Sequence, residues 1–439
     1  MEHTVMRKVK RRVVPLLAVC YLISFIDKTN IGVAQLGMQD ALGLSDAAFG
    51  FGAGIFFVGY FLFEVPSNLA LARFGARRWI ARIMITWGVI VILTALVRGQ
   101  GSFNVLRFLL GAAEAGFYPG ALYYLSRWVP AAHRGKIIGL FLLANPVSTV
   151  IGAPVMGALL GMHGFLGVEG WQWVFIITGV PALVLAAVVF FALPDTPRDA
   201  AWLTVQERTW LEETITAEQA ETADRAGAHG SPWRALLDRR VLFLCLWFAA
   251  FPTAAYGLRL WLPTLIDEFD VSSFTNGLLN AVPFLFAAAA LYVWPRIAAR
   301  SGRSYRQIAG CTLVGAVGLA GATLTDRPVV ELAFISVAAV GIFAGQPIFW
   351  ALPSRLLAGV NAAAGLALIN SVGNLGGFAG PYAVGAIKGA TGSLGPAMLF
   401  LAAVMVFAAV MSGIARTLFD RPRGRSSDTD TAVPTVQES

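Results

Sequence analysis

The sequence predicts an all-α membrane protein: twelve transmembrane helices arranged as two pseudo-symmetric six-helix lobes. Three observations carry this. Of 439 residues, 57% are apolar and only 13% charged, against about 25% charged in soluble domains, too few to cover a soluble surface of this size. Twelve apolar stretches each reach the roughly 20 residues that a spanning helix needs. The basic residues fall almost wholly in alternate loops. The 46 Gly and 21 Pro are scattered through apolar runs, so they do not signal disorder. This arithmetic excludes a soluble enzyme and a nucleic-acid module.

Taken in order, the basic start Arg7-Lys8-Val9-Lys10-Arg11-Arg12 leads into an apolar stretch without a small-residue cleavage site, and reads as a retained first span. Spans one to six centre near Phe25, Tyr60, Val89, Glu114, Pro146 and Leu183. Residues 1–193 form the N-terminal six-helix lobe, and 194–240 a linker. Within it Thr204-Val-Gln-Glu207 is a capping box opening a polar surface helix through about Glu221. Spans seven to twelve centre near Thr253, Phe286, Leu319, Ala339, Asn374 and Val406, within a C-terminal lobe of residues 241–420. Residues 421–439 read as a disordered tail. An internal repeat links the halves: Ala72-Arg-Phe-Gly-Ala-Arg-Arg78 recurs as Ala299-Arg-Ser-Gly-Arg303, and Asn145 matches Asn370 at nearly the same offset.

Of 33 basic residues, 27 lie in the loops on the side of the N-terminus, the linker and the tail. The opposite loops hold only Arg98, Arg327 and Lys388, beside acids such as Asp40, Asp46, Glu169 and Asp267. This asymmetry predicts both termini in the cytoplasm. The net charge of +8 is thus a topology signal and implies no nucleic-acid partner. Six helices, a loop and six helices is the pattern of a two-lobed secondary transporter.

Three bases (Lys28, Arg107, Arg259) and three acids (Asp27, Glu64, Glu114) remain inside spans. A charge at the bilayer centre costs at least ~2.5–3.5 kcal/mol, so each needs a partner, a cavity or a task. Asp27 has Lys28 beside it; burial and a neighbouring cation oppose each other, which suits a group that loads and releases a proton. A permanently paired Asp27 is the structural alternative. Arg107, Gly111, Glu114 and Tyr118 share one face of span four. Arg107 and Glu114 are roughly 10 Å apart along the axis, too far for a direct bridge and suited to an anion near one and a proton on the other. A guanidinium fork is the natural partner of a carboxylate, although a structural Arg–carboxylate pair is the plainer reading. Arg259 reads equally as a second anion-binding cation or as a residue snorkelling to outer headgroups.

Tyr60, Asn145, Asn370 and Asn374 supply neutral polar groups at membrane depth, and Asn370, Asn374, Gly377 and Pro381 form a stripe that also suits helix packing. Glu64 reads as structural. Trp171, Trp173 and Trp261 read as belt aromatics, and Pro119, Pro146, Pro154 and Pro283 as kinks. Cys20, Cys245 and Cys311 have no metal-type spacing, and the four His fall outside the helical core, so no metal site or hydrolytic constellation is expected.

Several stretches resemble the major facilitator superfamily: Phe25-Ile-Asp27-Lys28-Thr-Asn30-Ile-Gly32, Gly59-Tyr60-Phe-Leu-Phe-Glu64-Val-Pro66-Ser-Asn68, Arg107-Phe-Leu-Leu-Gly-Ala-Ala-Glu114-Ala-Gly-Phe-Tyr-Pro119-Gly120, Leu193-Pro-Asp195-Thr-Pro197 and Asn370-Ser-Val-Gly-Asn374. Within it they are similar to the anion:cation symporter family, carriers of tartrate-, phthalate-, hexuronate- and galactonate-type anions. The resemblance implies the major facilitator fold. It also implies Asp27 and Glu114 as protonation sites and Arg107 as the residue that holds or gates the anion, with Tyr60, Asn145 and Asn370 lining the site. Two departures stand out: Lys28 occupies the place of the family's usual Arg, and Ala72 and Ala299 stand where the cytoplasmic motif carries an acid.

The expectation is therefore a proton-coupled symporter importing a small organic carboxylate by alternating access. It needs no cofactor beyond the coupling H+, and it sits as a monomer in the bilayer of a bacterial inner membrane. Lys28, Arg259 and Asn374 join Arg107, Tyr60, Asn145 and Asn370 as candidate substrate-binding residues. A drug:proton antiporter is the main alternative; Gly152-Ala-Pro154-Val-Met-Gly157 only partly matches the glycine-proline motif it would favour. A ligand sensor without transport is the third class. Tyr21, Phe57, Tyr118 and Trp350 suit either a ring-bearing acid or a sugar acid.

Overall fold

A computed structural model describes residues 1–226, 238–353 and 360–419. The predicted tail, residues 421–439, lies outside them, and the linker is described only to Ala226 and from Asp238.

Twelve spans follow in order. They are Val14–Ala41, Asp46–Phe74, Ala76–Thr94, Gln100–Glu114 with Phe117–Ser126, Ala131–Leu142 with Ala144–Leu160, and Gly170–Ala192. After the linker come Arg239–Asp267, Ser273–Ser301, Ser304–Ala322, Pro328–Trp350, Val360–Asn374 with Gly376–Thr391, and Gly395–Phe419. Among the described residues seven helices are by themselves long and apolar enough to cross a membrane. Most of the others fall short for visible reasons. Span three crowds Arg77, Arg78 and Arg82 into its 19 residues, span nine begins Ser304-Tyr-Arg-Gln307, and spans four and eleven are broken in the middle.

Helix starts follow local chemistry. Ser45 and Ser272 accept the N–H groups of Ala48 and Thr275, each at 3.2 Å, to open spans two and eight. Glu169 and Gln172 form a capping box for span six. Span four breaks directly after Glu114, where Ala115 turns extended and Gly116 takes φ +85°. That left-handed angle suits glycine, and a Cβ there would also strike the Ser67 side chain. Pro119 follows in the first turn of the new helix, where its missing N–H costs nothing.

Without a hydrophobic drive between helices in lipid, close packing by small residues holds the spans together. Gly111 faces the Phe56 carbonyl on span two, and Gly59 faces the Phe108 carbonyl on span four; either Cβ would collide with backbone. Span two packs on span eleven, and span eight on span five. These two inter-lobe contacts are one contact repeated by the pseudo-two-fold, as the sequence repeat anticipates. Phe191, Val184 and Val317 are among the apolar side chains left on the outer surface, as a lipid-facing wall requires.

The linker helix runs Val205–Ala226, opened by the predicted box: Glu207 accepts the Thr204 N–H at 2.8 Å, and Thr204 Oγ1 accepts the Glu207 N–H at 3.3 Å. A helix not read from the sequence, Glu2–Arg12, buries Val5, Met6 and Val9 and pairs Lys8 with Glu207 at 2.7 Å. The linker is tied down further by Arg77–Asp195 at 3.4 Å and Arg134–Glu218 at 3.2 Å. Asp195 Oδ1 also accepts the Arg77 N–H at 2.8 Å, so it supplies an acid to the loop where Ala72 offers none.

The belt reading fails for two tryptophans. Trp261 is fully buried and donates to the Pro381 carbonyl at 3.1 Å, and Trp171 is buried as well. Both sit near span ends, but neighbouring helices cover them. Pro146 opens the second segment of span five rather than kinking a continuous helix, whereas Pro154 and Pro283 lie within theirs.

Candidate functional site

Span one carries an unbroken polar run, and its helical period sends neighbours to opposite sides. Asp27 and Asn30, three apart, face spans three and six. Asp27 Oδ2 accepts the Trp87 Nε1–H at 3.1 Å, and Asn30 Nδ2 donates to Thr178 Oγ1 at 3.0 Å. Ser24 and Lys28, four apart, face span four. Lys28 Nζ lies 3.3 Å from Glu114 Oε2 and donates to Ser24 Oγ at 3.2 Å, while Ser24 donates to Glu114 at 3.2 Å. Asp27 therefore does not pair with its chain neighbour. Among the described residues no cation forms an ion pair with it.

Glu114 is the last residue of its helix. A carboxylate there meets the negative end of the helix dipole, a cost that Lys28 offsets. Arg107, two turns back, is enclosed where spans two and four meet. Its Nη2 donates to the Ala53 carbonyl at 3.3 Å and its guanidinium lies 5.0 Å from the Phe56 ring. Nε and Nη1 of Arg107 have no partner among the described residues.

Arg259, on span seven, does not snorkel. It is enclosed by Phe284, Phe343 and Phe25, with ring centroids 4.8, 5.2 and 5.5 Å from Cζ. Its Nη2 donates to Asn145 Oδ1 on span five at 3.0 Å, linking the two lobes, while Nε has no partner among the described residues. Residue exposures are 0% for Asp27 and Glu114, 1% for Arg107, 4% for Arg259 and 8% for Lys28. Among the described residues neither buried guanidinium has an acidic partner, which costs several kcal/mol each unless an anion completes them.

The other candidates fall around this centre. Tyr60 is buried, its ring 5.2 Å from Lys28 Nζ. Asn370 donates to Glu64 Oε1 at 3.1 Å and Ser371 to Oε2 at 2.9 Å, another bridge between lobes. Asn374 is half-buried one turn further along span eleven. Tyr21 stacks between Phe141 at 4.4 Å and Tyr118 at 5.4 Å, an aromatic wall built from spans one, four and five. Phe57 packs on Tyr256 at 4.4 Å.

Sequence reasoning missed Ser24, Trp87 and Thr178. Ser24 carries a signal, its spacing of four from Lys28; Trp87 and Thr178 carry none, being neutral residues on other spans. Among the described residues no group of three or more His, Cys, Asp or Glu is placed to hold a metal.

The family described as Major Facilitator Superfamily matches residues 17–381. The chain belongs to that superfamily. It is 47% identical over 412 residues to a protein of Agrobacterium vitis provisionally named a tartrate transporter, covering 94% of each chain. It is 43% identical over 423 residues to a quinolone resistance transporter of Acinetobacter baumannii, covering 96% of this chain and 97% of that one. Among solved structures, a bacterial homologue of the human lysosomal transporter Spinster superposes with a TM-score of 0.73 at 19% identity, over 93% of this chain and 97% of that one. The superfamily member described here is a multi-pass membrane transporter and not an enzyme. Its relatives are consistent with the anion:cation symporter branch that the motifs resemble.

Proposed function

We propose that this transporter is a proton-coupled symporter that carries a small organic carboxylate across a bacterial inner membrane by alternating access, as a monomer with both termini in the cytoplasm. One observation carries the reading: two buried guanidinium groups, Arg107 and Arg259, have no acidic partner among the described residues, and a third cation, Lys28, is paired with Glu114. Cations so placed favour an anion and disfavour a neutral cargo.

Glu114 and Asp27 take up protons in the state open to the outside. Protonation of Glu114 removes the charge that holds Lys28, freeing the ammonium for substrate. Arg259 and Asn145 come from opposite lobes, so an anion at Arg259 bears on how the lobes close. Release follows when the acids lose their protons to the cytoplasm and Lys28 returns to Glu114. The two fluxes are coupled because each ligand binds one state better than the other.

The test is uptake into proteoliposomes of the purified protein. An inward proton gradient accelerates carboxylate uptake, and Glu114→Gln and Asp27→Asn abolish the acceleration. Uptake indifferent to the gradient overturns the reading. The quinolone resistance relative favours a second one, proton-driven export of larger compounds; counterflow of protons against a quinolone in the same vesicles would select it.

A further inference from the structure

The symport reading leaves open how many acid groups the cargo bears. Six side chains that carry charge at neutral pH are buried within the spans among the described residues: Asp27, Glu64 and Glu114, and Lys28, Arg107 and Arg259. With every acid ionised these balance. With protons on Asp27 and Glu114 the buried set carries two positive charges in excess, and an enclosed net charge in a low-dielectric interior is strongly disfavoured. A dianion restores balance; a monoanion leaves one positive charge and a neutral cargo two.

The positions agree with the inventory. Lys28 Nζ and Arg259 Cζ lie 5.2 and 5.5 Å from the same Phe25 ring, one on each lobe. A short diacid can reach from one to the other. Lys28 is released only when Glu114 is protonated, because Glu114 is its sole ion-pair partner among the described residues. Arg259 needs no release, since its Nε has no partner among the described residues.

We propose that the translocated form holds one dicarboxylate dianion and two protons, with one carboxylate on Lys28 and the other on Arg259, so that transport moves no net charge. This rests on the symport reading above. The groups facing the two protonated acids are few. Glu114 faces Lys28 and Ser24, has Arg107 on its own helix, and has Tyr60 and Tyr256 within electrostatic reach. Asp27 faces Trp87 and Thr178, with Lys28 and Glu114 as its charged neighbours.

The experiment uses the purified full chain in proteoliposomes, with tartrate, succinate and phthalate as diacids and glycerate and benzoate as monoacids. Potassium and valinomycin set the membrane potential independently of the proton gradient. The expected result is diacid uptake driven by the proton gradient and unchanged by an inside-negative potential, with monoacids at least tenfold slower. Arg259→Gln removes one buried charge and lowers the ratio of diacid to monoacid uptake at least tenfold, whereas Arg259→Lys largely preserves it. Uptake that is proton-driven but accelerated by potential, or a diacid-to-monoacid ratio unchanged in Arg259→Gln, overturns the dianion proposal and leaves symport standing. Proton-independent uptake of every acid overturns both. If Arg259→Gln does not fold, the potential measurement on the unaltered protein decides alone.

Discussion

Lys28 and Glu114 form a charge pair at 3.3 Å across spans one and four, both buried, with Ser24 bonded to each. Removing one member strands the other, at about 3–5 kcal/mol. Lys28→Met should therefore sharply lower the melting temperature of the detergent-purified protein, and Lys28→Met with Glu114→Gln should recover much of the loss. A double variant no more stable than the single one would show that the pair is not the source.

Trp87 Nε1–H donates to Asp27 Oδ2 at 3.1 Å. Trp87→Phe keeps most of the ring volume and deletes the donor, at about 1–3 kcal/mol for an unsatisfied buried group. In that background Asp27→Leu, which removes the acceptor, should cost less than it does alone, with a coupling of about 0.5–3 kcal/mol. Additive losses in thermal unfolding would refute the contact.

The basic face holds a pH-sensitive contact. The Lys8 ammonium and the Thr204 N–H hold the Glu207 carboxyl below its usual range. A carboxyl whose folded value is depressed adds stability at pH above its unfolded value of 4.5, and that stability is lost as pH falls through the folded value. Acidification through this range should release the helix Glu2–Arg12 from the linker helix, read as protease cleavage near Arg12. Glu207→Gln should release it at neutral pH, and cleavage that does not change in the variant contradicts the contact.

On the face opposite the N-terminus, Lys388 Nζ meets Asp46 Oδ1 at 2.9 Å, joining spans eleven and two, and Gln39 donates to the same oxygen at 2.8 Å. The pair is partly exposed, so it contributes up to ~1 kcal/mol, which still shifts a two-state population about fivefold. Asp46→Asn should leave the melting temperature nearly unchanged and speed hydrogen exchange at the adjoining ends of spans two and eleven. Unchanged exchange would mean the pair does not hold the lobes together there.

The fold was legible because each span announces itself by composition, and the Thr204–Glu207 box because capping is local. The six buried charges were also legible, since a charge in an apolar run stands out. Their partners were not. Adjacency placed Lys28 beside Asp27, yet the helical turn sends Lys28 to Glu114 and Asp27 to Trp87. The snorkelling alternative for Arg259 and the belt reading of Trp261 failed for one reason: nearness to a span end says nothing of which helices cover that end. The docked helix Glu2–Arg12 escaped notice because its three apolar residues are interleaved with the charges that set topology.

The bonds that fasten the linker have a mechanical consequence. Asp195, Glu207 and Glu218 all fasten to groups of the first lobe and its leading helix, so most of the stretch between the lobes travels as cargo of the first. Any rocking of the two halves therefore carries the linker helix Val205–Ala226 along with the first lobe, and the ion pairs that hold it need not break as the lobes exchange positions.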